Sequence, residues 1–176
     1  GQLAEVRYRY GLALLKQEKP NLGLAASELT KALRENPKHL GALKTIAQVY
    51  SDKGQYNLAV ANLQKAKDLA PNDDTLRLRL AMALAEFNQV DNALKELTAL
   101  LNIKPRSAYA NNMKAFLLVE FKNGREEEAL DYANAAYEAN PANATFQDTL
   151  GWVKYKAGDA DGARVLLDQA VLTAKG

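Results

Sequence analysis

Few side chains in this 176-residue chain could carry catalysis, and their placement keeps them apart. His39 is the only histidine and cysteine is absent, so a transition-metal site has no ligand set, and disulfide and thiolate chemistry drop out together. Nucleophilic catalysis would need a hydroxyl beside a base that an acid orients. Ser27, Ser51 and Ser107 lie far apart along the chain, and no imidazole other than His39 could serve them. Glu126, Glu127 and Glu128 form a run of carboxylates, but they open a helical stretch, where negative charge suits the positive helix end. Asp159 and Asp161 repeat that arrangement, and Asn72-Asp73-Asp74 reads as a helix cap. Gly158-Asp159-Ala160-Asp161-Gly162 is a turn and helix start rather than a phosphate cradle, and Asn143-Ala144-Thr145 matches a glycosylation triplet short enough to arise by chance. The expectation is a protein that is not an enzyme, with no catalytic residue, metal or cofactor.

Composition points the same way. The chain is 48% hydrophobic and 25% charged, ordinary for a globular chain. Its formal net charge of +2 creates no field that would steer it to nucleic acid or an anionic membrane. No basic run is interleaved with aromatics as on a nucleic-acid platform, and no apolar stretch reaches the roughly 20 residues of a membrane span. No signal peptide is evident. The helical pattern at both ends predicts a segment of a longer protein.

The elements that position these residues recur. Pro37, Pro71 and Pro105 fall 34 residues apart and Pro141 follows 36 later, with Pro20 out of phase. Ala25, Ala59, Ala93 and Ala129 each precede an in-phase proline by 12 residues. Gly54, Asn88 and Gly124 stand five residues before three of those alanines, and Gly158 with Ala163 repeats the pair. A period of this length marks stacked supersecondary units, none of which buries its apolar faces alone. Small residues let paired helices approach closely, proline stops the second helix, and glycine or asparagine accepts a left-handed turn. Five units follow, at about 4–39, 40–73, 74–107, 110–143 and 144–176, forming one array.

With its large-small pairs Tyr10-Gly11, Ile46-Ala47, Leu80-Ala81, Phe116-Leu117 and Leu150-Gly151, the pattern resembles the tetratricopeptide repeat. Leu100 and Leu117 stand at normally small sites and are expected to widen the local helix spacing. The resemblance implies an all-α, right-handed superhelical solenoid of about five helix-turn-helix repeats. The last two units, with Asn111-Asn112-Met113-Lys114 and Asp148-Thr149-Leu150-Gly151-Trp152-Val153, are similar to those of the bacterial PEP-CTERM system tetratricopeptide lipoproteins. That similarity implies a periplasmic scaffold, lipid-anchored through a segment upstream of Gly1 and linked to exopolysaccharide production and surface-protein sorting.

In this architecture the first helix of each unit lines a concave groove, which is expected to hold a protein or peptide partner. Its polar, basic middle is predicted at Lys44, Gln48, Arg79 and Lys114, and its apolar, aromatic end at Met82, Leu118, Phe121, Trp152 and Tyr155. A hydrophobic anchor flanked by charge suits an extended peptide or helix. Trp152 and Phe121 could equally pack between neighbouring helices, or a further repeat could cover them. The lysine and asparagine positions of the clamp for acidic chaperone tails are not met in either frame. The leading expectation is a non-enzymatic interaction scaffold in a bacterial envelope assembly for exopolysaccharide or surface-protein export. The alternatives are a cytosolic adaptor or co-chaperone module and the regulatory part of a larger enzyme. Val165, Leu166, Val171 and Leu172 on the last helix predict unpaired apolar surface, hence more chain beyond it or an end-to-end contact; a monomer or weak end-to-end dimer is expected.

Overall fold

In a computed structural model, residues 1–175 are described, and they form ten helices and no strand. These are α1 (Gln2–Leu15), α2 (Leu22–Glu35), α3 (Leu40–Asp52), α4 (Tyr56–Leu69), α5 (Asp74–Glu86), α6 (Val90–Ile103), α7 (Ala108–Phe121), α8 (Glu126–Ala139), α9 (Ala144–Lys156) and α10 (Ala160–Lys175). The chain divides into two compact units, one from Gly1 to Gln89 with α1 to α5, the other from Val90 onward with α6 to α10. The division falls between α5 and α6, inside the third repeat.

The punctuation of the sequence accounts for the helix ends. Pro37, Pro71, Pro105 and Pro141 each stand just beyond the end of α2, α4, α6 and α8. Gly54, Asn88, Gly124 and Gly158 close α3, α5, α7 and α9 with φ of 68°, 60°, 77° and 93°, the left-handed conformation their residue types allow. Asp73 and Asn143 cap α5 and α9 by accepting from the second and third backbone N–H groups. His39 caps α3 through Nδ1, which accepts from the Ala42 N–H at 3.1 Å.

In the first unit α1 packs on α2, α2 on α3, α3 on α4, α4 on α5, and α1 also reaches α3. Ala25, Ala32, Ala47, Ala59, Ala66 and Ala81 are fully buried between these helices. Gly11 shows how close the approach is, since a Cβ there would lie 2.9 Å from Leu29 Cγ. Leu29, Ile46 and Val49 form the core with Ala26, Ala32 and Ala42, and Tyr8 and Tyr50 close its edges. Fully burying such a leucine is worth roughly 1.5–3 kcal/mol.

In the second unit α6 packs on α7, α7 on α8, α8 on α9 and α9 on α10, and α7 also meets α9. Leu100 and Leu117, the large residues at expected small sites, are both buried here. Phe146, Leu97, Leu118 and Val153 are, with Leu100, the largest fully buried side chains of this unit. Leu166 is buried, whereas Val165, Val171 and Leu172 stay exposed on α10.

Candidate functional site

In the first unit, α3 and α5 bring Lys44, Gln48 and Arg79 together. Arg79 Nη2 donates to the Lys44 carbonyl at 3.2 Å and to Gln48 Oε1 at 2.9 Å. Gln48 Nε2 in turn donates to Asp52 at 2.7 Å, and the Lys44 ammonium pairs with Asp73 at 2.5 Å. Burial pulls Arg79 below its ordinary value, with Asp52 and Asp73 opposing the shift, and the Lys44 hydrogen bond holds Asp73 below the usual carboxylate range against partial burial. The network walls a depression of about 380 Å³ that Leu15, Pro20 and Leu22 complete. Met82, next to it on α5, is 53% exposed and lines a smaller crevice with Tyr56 and Leu63.

In the second unit the expected residues separate. Leu118 is fully buried and Lys114 only 6% exposed, yet both border one open hollow. The Lys114 ammonium donates to Thr98 Oγ1 at 3.0 Å and Tyr132 Oη at 2.8 Å, and lies 4.3 Å from the centroid of the Tyr132 ring. Three acceptors in one place, including an aromatic face, replace its lost hydration. The reason is that α7 is flanked by α6, α8 and α9 within this unit, so more of its circumference is covered than a two-neighbour helix would show. Lys114 still borders a hollow of about 670 Å³ with Asp91, Lys95, Thr98 and Arg125. Lys122 pairs with Asp91 at 2.6 Å and holds that carboxyl below its ordinary range.

Trp152 and Tyr155 remain available. Trp152 is half-buried and stacks on the exposed Tyr155 with ring centroids 5.4 Å apart and planes 24° off parallel. The indole N–H donates to Glu120 Oε1 at 2.5 Å, and the Lys156 ammonium lies 4.9 Å from the indole centroid and 3.7 Å from Glu120. Phe121 is exposed at the end of α7. The sequence reading left out Phe116 and Glu120. Phe116, named there only as the large member of its pair, is 43% exposed and lines a pocket of about 340 Å³ with Glu120, Asp148, Thr149 and Trp152. The signal available was helical spacing: positions 116 and 120 are one turn apart on α7, as 148 and 152 are on α9. Among the described residues no group of three or more His, Asp or Glu could hold a metal, and no helix is long and apolar enough to cross a membrane.

Residues 52–116 match the family model described as tetratricopeptide repeat. A TPR repeat-containing protein of Pseudomonas aeruginosa is 28% identical over 148 residues, which cover 84% of this chain and 25% of that protein. Cellulose synthase operon protein C of Escherichia coli is 43% identical over 74 residues, 40% of this chain and 6% of that one. The chain therefore spans a quarter or less of these relatives. Among solved structures, MamA from Desulfovibrio magneticus superposes with a TM-score of 0.85 at 18% identity, covering 99% of this chain and 97% of its own. YrrB, described as a TPR protein with an unusual peptide-binding site, does so with a TM-score of 0.75 at 22% identity, covering 97% and 86%. Residues 52–116 thus match tetratricopeptide-repeat sequence, and the all-α fold is the one these solved structures share with the chain.

Proposed function

We infer that this chain is a non-enzymatic scaffold, one array of five repeats, which holds a peptide or helix of a protein partner against the first helices of its repeats. The observation that carries the reading is the exposed aromatic set of the second unit: Phe116, Phe121 and Tyr155 are all more than two-fifths exposed, with Trp152 stacked on Tyr155. Large rigid aromatics left in water are the usual anchors of protein interfaces. In the first unit, Lys44, Gln48 and Arg79 are already engaged internally, so Met82 supplies the accessible contact there. The function of such a protein lies in what it brings together.

The assembly served is proposed to be a bacterial envelope machine for exopolysaccharide or surface-protein export, in the periplasm. This is supported by the 43% identity of a 74-residue stretch to a cellulose synthase operon protein. The test is affinity capture from a bacterial envelope extract, comparing the chain with a Trp152→Ala, Phe121→Ala variant of equal helicity. Capture of a polysaccharide-export or protein-sorting component by the parent chain, lost in the variant, is expected. Capture of only cytosolic chaperones or enzymes would overturn the envelope assignment, and capture indifferent to the variant would overturn the aromatic site.

A further inference from the structure

The pocket between α7 and α9 carries more chemistry than an apolar anchor site needs. Its walls are the Phe116 and Trp152 rings, and its polar atoms are almost all acceptors: the carboxylates of Glu120 and Asp148 and the hydroxyl of Thr149. Asp148 is exposed, and no described residue bonds or pairs with it. Thr149 is only 4% exposed and lines the pocket. A hydroxyl at a cavity wall can accept from a ligand atom seated there. The indole N–H at the rim is already committed to Glu120, which also fixes the orientation of the ring.

The protein's own charge marks what the pocket accepts. The Lys156 ammonium lies over the Trp152 ring and within 3.7 Å of Glu120, so a cation already occupies part of the aromatic and acidic field. Lys156 is exposed and reaches from the end of α9, free to swing away. With Glu120 and Asp148 against one lysine, the site keeps an excess negative charge that a guest cation would neutralise.

Resting on the scaffold reading above, we propose that this pocket takes an arginine side chain of the partner. A guanidinium is planar, stacks on aromatic faces and carries five donors in a fixed fork, which matches two rings and three acceptors better than a compact ammonium does. Asp148 receives the charge-assisted hydrogen bonds, Thr149 accepts a third, and Trp152 and Phe116 sandwich the plane. Lys156 is then a competitor that the incoming arginine displaces.

Trp152 is the only tryptophan, so its fluorescence reports this pocket alone. The experiment titrates the chain with acetyl-Gly-Arg-Gly-amide and with the same peptide bearing citrulline, a neutral isostere of arginine. A saturable change with the arginine peptide is expected, weakened about tenfold by citrulline or by Asp148→Asn, the loss of one charge-assisted pairing. Lys156→Gln is expected to tighten the arginine peptide, because it removes the internal competitor. Equal responses to both peptides, no saturable response, or a Lys156→Gln variant that binds more weakly would each overturn the proposal. So would saturation by cellopentaose that is indifferent to Asp148→Asn, which would make the pocket a sugar site. Because the capture experiment does not depend on the charge of the guest, loss of the arginine response with capture retained would refute this pocket assignment and leave the scaffold reading standing.

Discussion

His39 works through both ring nitrogens. Nδ1 accepts the Ala42 N–H at the start of α3, so the proton of the neutral ring sits on Nε2, which faces Glu5 on α1 at 3.0 Å. One side chain thus caps a helix and ties it to its neighbour. Replacement by alanine is expected to lower unfolding stability by about 1 kcal/mol, the usual cost of a lost cap, while asparagine restores the cap; urea denaturation followed by circular dichroism measures both. Asp73 has a parallel double role, capping α5 and pairing with Lys44. Its folded-state value lies below its ordinary 3.8, chiefly through the Lys44 hydrogen bond. The unfolded chain therefore binds more protons, so the contribution is complete above 3.8 and is lost as pH falls through the lower folded value. Glu5, Glu28, Asp91 and Asp159 are lowered in the same direction, each first by a hydrogen bond from a basic partner. Asp73→Asn keeps the cap and is expected to flatten part of this acid-side decline, with a cost near neutrality below about 1 kcal/mol because the pair is partly exposed. The roles of His39 and Asp73 as turn and cap residues were legible from their positions beside a helix start. The internal anchoring of Lys114 was not, since it depends on Thr98 and Tyr132 from two other helices.

At the scale of the helices, the repeated small residues, turns and prolines were readable because each does a local job: left-handed φ at Gly54, Asn88, Gly124 and Gly158, and close approach at Gly11 and Gly151. These two glycines are equivalent in the first and last repeats, and a Cβ at either would come within 2.9 Å of a leucine Cγ, that of Leu29 or Leu167. Their substitutions should differ all the same. Leu29 is fully buried and has nowhere to move, so Gly11→Ala is expected to destabilise by about 1–2 kcal/mol, overpacking outweighing the helix-propensity gain of about 1 kcal/mol. Leu167 is only half-buried and can yield, although the Ala163 carbonyl lies 3.3 Å from the Cβ position, so Gly151→Ala is expected to cost less than Gly11→Ala, about 0.5–1 kcal/mol. Matched thermal melts of the two variants check the contrast. The face that α7 presents was less legible. Leu117 occupies a small site and is buried beside Leu118, and Phe116 is turned outward. The large members of the pairs differ in this way elsewhere too: Ile46, Leu80 and Leu150 are buried, whereas Tyr10 is exposed.

For the molecule as a whole, periodicity predicted the number of helices and their order, because repeats speak for themselves in sequence. The two compact units were not foreseen, since the division lies inside a repeat whose sequence keeps the period. The single-array proposal predicts that urea unfolding followed by Trp152 fluorescence, which reports the second unit, coincides with far-ultraviolet circular dichroism, which reports all helices. Separate midpoints would make the units independent. The exposed Val165, Val171 and Leu172 agree with the unpaired apolar surface expected on the last helix. The central claim is that the partner sits on the aromatic end of the second unit. Its most direct test is acrylamide quenching of Trp152 before and after adding the captured envelope component. Quenching reduced several-fold in the complex, by a component that Trp152→Phe binds and Trp152→Ala does not, is the predicted result. Unchanged quenching in a saturated complex would contradict the claim and move the site elsewhere on the repeats.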